Sequence, residues 1–72
     1  MTKLPPISGS ALIKKLRQFG FEVIRQRGSH VIMKNMQGII TIIPNHKGKD
    51  IDQGLIRKIL KQAQISLDDY LA

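Results

Sequence analysis

The sequence contains no cysteine and only five acidic residues among its 72 residues. Without cysteine, neither a disulfide nor a thiolate zinc site can stabilise the fold. The two histidines and the scattered acids form no ligand cluster along the chain, so we expect no structural metal and no cofactor. No apolar run is long enough to span a membrane, and Met1–Pro6 lacks the apolar segment of a signal peptide. These absences predict a cytoplasmic protein that is stabilised by helices packed on a sheet.

The scarcity of acids leaves a large positive charge. Twelve Lys and Arg residues against five Asp and Glu residues give a formal net charge of +7. Such an excess indicates a polyanionic partner, since a surface that served solubility alone would mix both signs. Hydrophobic residues make up 42% of the chain, which argues against a disordered tail. The length then predicts one small domain over residues 1–72.

Apolar residues at helical spacing predict two helices, one near each end of the chain. Ser8 or Ser10 can cap the first helix, and Gly20 is suited to end it. Asp50 or Asp52 can cap the second helix. A short terminal turn follows, where Ser66 and Asp69 resemble a capping box. The two apolar stripes comprise Leu12, Ile13, Leu16 and Phe19 in the first helix and Leu55, Ile56, Ile59, Leu60 and Ala63 in the second.

Three strands are predicted between the helices: Phe21–Arg27, His30–Lys34 and Ile39–Ile43. Gly28-Ser29 suits a type II′ hairpin turn, and Asn35–Gly38 forms the next turn. Because both connections are short, the strands should be antiparallel. The predicted fold is therefore α+β, in the order α-β-β-β-α, with two helices on one face of the sheet. The same order of elements occurs in double-stranded-RNA-binding domains.

Pairing the strands across these turns assigns each side chain to a face of the sheet. The residues expected under the helices are Val31, Met33, Ile40, Ile42 and Ile24. The other face should be open and basic, and should carry His30, Arg25, Arg27, Lys34 and Thr41, with Ile32 and Ile43 between them. In this register His30 pairs with Arg27 on one side and Ile43 on the other. A shift of one residue would invert the assignment for a strand.

Several motifs in order along the chain resemble the HicA family of small toxins. Ser8-Gly9 opens the first helix as in that family, and Phe19-Gly20-Phe21 joins it to the sheet. The central match is Arg25-Gln26-Arg27-Gly28-Ser29-His30, followed by Ile43-Pro44-Asn45-His46. Leu55–Ala63, with Ile65-Ser66, matches the last helix and its exit. The departures are small: the family usually has Thr or a similar residue where Leu55 stands and often Gly where Gln64 stands.

The resemblance implies a toxin of a type II toxin–antitoxin system that cleaves mRNA without a metal. It implies that His30 is the catalytic residue, and that a HicB antitoxin binds the toxin and masks its site. Two other functions fit the composition: an RNA-binding module without catalysis, and a structural domain whose sheet face binds a protein. The structural domain would leave the basic excess unexplained.

The residues themselves suit RNA cleavage by the ribose 2′-OH. His30 can act as the base, although a lone histidine in a turn is more often a plain surface residue. Arg25, Arg27 and Lys34 can stabilise phosphate charge, or can simply attract RNA. His46 should lie within roughly 10 Å of His30, where it can be a second acid or base, contact phosphate or only shape its loop. The remaining candidate RNA contacts are Gly28, Ser29, which also serves the turn, and Lys47.

Overall fold

The computed structural model describes residues 4–72. The prediction that Met1–Pro6 is not a signal peptide therefore falls partly outside the described residues, at positions 1–3. In the described range, the elements in chain order are β1 Ile7–Ser8, α1 Gly9–Arg17, β2 Glu22–Arg27, β3 His30–Lys34, β4 Ile40–Pro44, β5 Asp50–Ile51, α2 Gln53–Ala63 and α3 Leu67–Leu71. Strands β2, β3 and β4 form an antiparallel sheet in that order. The predicted fold class is confirmed. The two-residue ribbon of β1 and β5 was not predicted, because two residues are too few to show an alternating pattern.

The helices begin where the sequence predicts caps. Ser8, Asp52 and Ser66 are the N-cap residues of α1, α2 and α3. Each side-chain oxygen accepts the backbone N–H three residues further on, at 3.1 Å for Ser8, 2.9 Å for Asp52 and 3.1 Å for Ser66. These bonds satisfy N–H groups that have no partner within a helix. None of the helices in residues 4–72 has the length and hydropathy of a membrane span.

Helix α2 ends in a conformation that explains why the HicA pattern often has glycine where this chain has Gln64. Gln64 is its C-cap and has a φ of 58°, in the left-handed region. Glycine adopts this region without a Cβ penalty, whereas other residues are strained there. The glycine that the family often carries here is thus the residue that the backbone favours.

The core lies between the helices and one face of the sheet. Its fully buried side chains come from α1, α2 and the two strands β3 and β4. Phe21, which immediately precedes β2, is also buried. At the end of the chain, Tyr70 of α3 packs into the core, burial raises its pKa, and the Lys15 ammonium lies 4.1 Å from its ring centroid. The largest buried side chains are Phe21, Leu12, Leu16, Met33, Ile43, Ile56 and Ile59.

The predicted register of β4 was wrong by one residue. His30 pairs with Pro44, not with Ile43, and β4 spans Ile40–Pro44 rather than 39–43. Thr41 and Ile43, expected on the open face, are therefore buried, with exposed fractions of 1% and 0%. Ile40 and Ile42, expected under the helices, are 50% and 46% exposed on the open face. Buried Thr41 donates its hydroxyl hydrogen to Gln62 Oε1 of α2 at 3.3 Å.

The turn between β3 and β4 explains this shift. The Asn35 N–H donates to the Ile39 carbonyl at 3.1 Å, and the Asn35 side chain accepts the N–H groups of Gln37 and Ile39. Ile39 therefore closes the turn opposite Asn35 instead of beginning the strand. The connecting loop has three residues and ends on Gly38, whose φ of 85° is the left-handed conformation common in such loops.

The first strand differs from the prediction as well. It begins at Glu22, and a β-bulge between Val23 and Arg25 breaks its register with β3. Ile24 lies at this bulge and is 55% exposed, whereas it was expected under the helices. The extra residue of a bulge changes which side chains face the core. With the bulge, Arg25 pairs with Ile32 and Arg27 with His30.

Candidate active site on the open sheet face

The hairpin of β2 and β3 brings the central candidates together. Arg27 and His30 form the last pair before the turn, as predicted. Gly28 has a φ of 56° while Ser29 does not adopt a positive φ, which agrees with a type II′ turn. The Gln26 side-chain amide donates to the Gly28 carbonyl at 3.1 Å and ties the turn to β2. His30 is therefore held at the beginning of a strand, and its side chain is exposed.

A groove of about 490 Å³ lies beside His30 and is lined by Arg27, His30, Ile32 and Ile42. Arg25 pairs with Ile32 and lies on the same face. Two guanidinium groups thus accompany one imidazole next to a partly apolar depression. Arginine presents several N–H donors in a plane, which suits phosphate oxygens.

Isoleucines accompany the cations on this face, with Ile40 and Ile42 exposed and Ile32 half-buried. Ile32 and Ile42 pair across β3 and β4, and Ile40 pairs with Lys34 one step further on. We call Ile32, Ile40 and Ile42 the isoleucine patch. A surface that combines exposed aliphatic side chains with cations is typical of a macromolecular interface. The predicted register did not indicate this patch, because it placed Ile40 and Ile42 on the face that packs against the helices.

Lys34 lies away from His30, whereas Lys47 directly follows His46 in the sequence. Lys34 is at the opposite end of β3, about 13 Å along the strand from His30. It lines a second groove together with Glu22 and Ile24. Lys47 is an exposed residue of the loop between β4 and β5. Lys34 would meet a part of an extended ligand away from His30.

His46 lies nearer to His30 than the predicted register implied. The predicted partner of His30 was Ile43, three residues before His46. The observed partner is Pro44, which is only two residues before His46. The Asn45 N–H donates to the Ser29 carbonyl at 2.6 Å, which extends the pairing of β3 and β4 beyond His30. The Ser29 hydroxyl lies 3.4 Å from His46 Nε2. Ser29 therefore links the hairpin turn to the second histidine.

The beginning of α1 packs against the same loop. A Cβ at position 9 would lie 2.7 Å from the Asn45 Cα and 2.8 Å from the Pro44 carbonyl oxygen, so only glycine fits there. The Ser10 hydroxyl donates to Asn45 Oδ1 at 3.4 Å. Sequence reasoning assigned no role to Gly9 or Asn45, although both lie in motifs that carried the HicA resemblance. Within residues 4–72, no three His, Asp or Glu side chains form a cluster that could hold a metal ion.

Element order and sheet topology place the chain among small α+β domains of α-β-β-β-α order, and its open sheet face carries a histidine among arginines. A family model described as the HicA toxin of bacterial toxin–antitoxin systems matches residues 9–65. Since the match covers most of the chain, the protein belongs to the HicA toxin family. The resemblance is thereby confirmed, and membership implies a toxin with a cognate antitoxin. A comparison with curated proteins found no match.

Proposed function

We propose that this toxin is an endoribonuclease, an mRNA interferase of a type II toxin–antitoxin system, that cleaves RNA in the cytoplasm without a metal. The pairing of His30 with Arg27 beside the groove is the observation that carries this proposal. An exposed imidazole can act as a general base, and flanking guanidinium groups can neutralise phosphate charge. Family membership supports the same activity.

In the proposed reaction the ribose 2′-OH is the nucleophile. His30 takes the 2′-OH proton, and the resulting oxygen attacks the adjacent phosphorus. Arg25 and Arg27 stabilise the negative charge that accumulates on the phosphoryl oxygens. Gly28 and Ser29 present the turn to the RNA backbone, while Lys34 and Lys47 contact phosphates further along the strand. The aliphatic side chains of the isoleucine patch offer an apolar surface to unstacked bases.

We propose that the cognate antitoxin is an acidic, HicB-like protein that covers the open sheet face. Cations favour fast association with an acidic partner, and the isoleucine patch supplies apolar area for a stable complex. An antitoxin placed there would block access of RNA to His30. One face would then serve both substrate and inhibitor, so that the two compete.

Purified protein should cleave a mixed-sequence RNA transcript in buffer that contains excess EDTA. The 2′-OH mechanism predicts fragments that end in a 2′,3′-cyclic phosphate and begin with a 5′-hydroxyl. Gel electrophoresis and mass spectrometry of the fragments test both points. Binding of the transcript without any cleavage would instead support the alternative, an RNA-binding module without catalysis.

RNA affinity should fall steeply with salt, because arginine contacts release counterions from the RNA. Arg25→Gln and Arg27→Gln should each reduce the slope of log affinity against log salt by about 0.7 for a single strand. Lys58→Gln, on the exposed side of α2, is the matched control and should leave the slope unchanged. Fluorescence anisotropy over a salt series measures these slopes. Unchanged slopes in both arginine variants would show that RNA binds elsewhere.

A further inference from the structure

We propose that His46 is a second catalytic residue, the acid that protonates the leaving oxygen, and that Ser29 positions it. This inference rests on the proposed ribonuclease activity. Residues at diagonal positions of neighbouring strands share a face and lie about 7–8 Å apart. Strand β4 ends at Pro44, the partner of His30, and the Asn45–Ser29 bond continues the pairing by one residue, so His46 directly follows the paired segment near the diagonal position relative to His30. Two imidazoles at about such a separation can flank a scissile phosphate.

Contacts around His46 support a defined position for its ring. Ser29 Oγ lies 3.4 Å from His46 Nε2, which leaves Nδ1 available to a substrate. The preceding residue, Asn45, is fixed by the Ser29 carbonyl on one side and by the close approach of Gly9 on the other. Catalytic groups need such support, because small displacements from the reacting atoms reduce the rate strongly.

The two histidines complete a balanced transesterification. Neutral His30 accepts the 2′-OH proton, and the 2′ oxygen forms a bond to phosphorus. The bond between phosphorus and the 5′ oxygen breaks, and its electron pair remains on that oxygen. Protonated His46 donates its Nδ1 proton to the same oxygen, while its Nε2–H donates to Ser29 Oγ. The products are a 2′,3′-cyclic phosphate and a 5′-hydroxyl, and exchange with water restores both histidines.

A sulfur-substituted substrate tests the role of His46 directly. A cleavage site is first mapped with the wild-type protein on a defined transcript. Two short oligoribonucleotides spanning that site are then compared: one natural, and one with sulfur in place of the 5′ bridging oxygen. A thiolate leaves without protonation, so the sulfur substrate needs no acid. His46→Ala should slow cleavage of the natural substrate by roughly 10²–10⁴-fold and leave the sulfur substrate near the wild-type rate.

Companion variants separate chemistry from structure. His46→Gln can keep a hydrogen bond to Ser29 but cannot donate a proton in this way, so it should follow His46→Ala on both substrates. Ser29→Ala should lose part of the rate on the natural substrate only, and Ser29→Thr should restore it. His30→Ala should lose cleavage of both substrates, because the base is needed in either case.

Equal loss on both substrates in His46→Gln would overturn the inference, since His46 would then contact phosphate or shape its loop. An unchanged rate on the natural substrate would overturn it too. If the wild-type protein cleaves neither substrate, the proposed function itself fails, and the inference fails with it. Thermal unfolding of each variant establishes that the compared proteins are folded.

Discussion

His30→Ala should reduce RNA cleavage by roughly 10²–10⁴-fold, the range expected when a general base is removed. Growth inhibition on expression should disappear with it, whereas RNA binding should persist. In the proposed mechanism, binding depends on the charges of Arg25 and Arg27, which the substitution leaves in place. The exposed position of His30 at the beginning of β3 also means that truncation removes little buried surface. Cleavage rate, RNA affinity and growth are the three measurements.

Gln37→Ala provides a control for this experiment. Gln37 is an exposed polar residue in the turn at the opposite end of β3, so its truncation should leave both cleavage and growth inhibition intact. Full cleavage by a folded His30→Ala protein would contradict the proposed mechanism. Loss of both cleavage and RNA affinity in that variant would mean that His30 binds RNA rather than activating it.

Ile42→Asp should weaken antitoxin binding by about 30-fold or more, the effect of losing an interface hot spot of at least 2 kcal/mol. Ile42 is 46% exposed and lies beside His30 in the groove. A carboxylate at this position would also repel an acidic partner. Arg27→Glu should weaken both antitoxin and RNA, because both are proposed to contact that guanidinium. Isothermal titration with the cognate antitoxin measures the loss, and RNA competition tests whether the sites overlap.

Leu55→Asp is the matched control for the isoleucine patch. Leu55 is also a partly exposed aliphatic residue, at 36%, but it lies on α2 rather than on the open sheet face. Its substitution should leave antitoxin affinity unchanged. A complex in which the antitoxin leaves the sheet face uncovered would contradict the proposed mode of inhibition.

Local patterns in the sequence predicted the hairpin and the helix starts well. The turn at Gly28 needs only glycine between two strand-forming runs, and Ser8, Asp52 and Ser66 cap helices through bonds to nearby residues. Arg25, Arg27 and His30 belong to that one hairpin, so their relative placement followed from its turn.

The errors arose where a single residue changes the register. The Asn35 side chain holds Ile39 opposite Asn35 and so delays the start of β4 by one residue, and the bulge after Val23 adds a residue to β2. The shift in β4 leaves no trace in the hydrophobic pattern, because β4 contains isoleucines on both faces of the sheet. The packing of Gly9 against Asn45 joins residues that are distant in the sequence, and no local pattern indicates such a contact.

Strand β2 carries the proposed arginine contacts to RNA on a weakly anchored segment. It forms one edge of the sheet, all six of its side chains are exposed, and a bulge interrupts its ladder. Segments with little buried surface open at a lower free energy than the core. The arginines therefore lie on the part of the sheet whose amides should exchange with solvent fastest. A partner that closes over this strand would slow that exchange, and would offset the entropy lost in ordering the strand with the contacts that it makes.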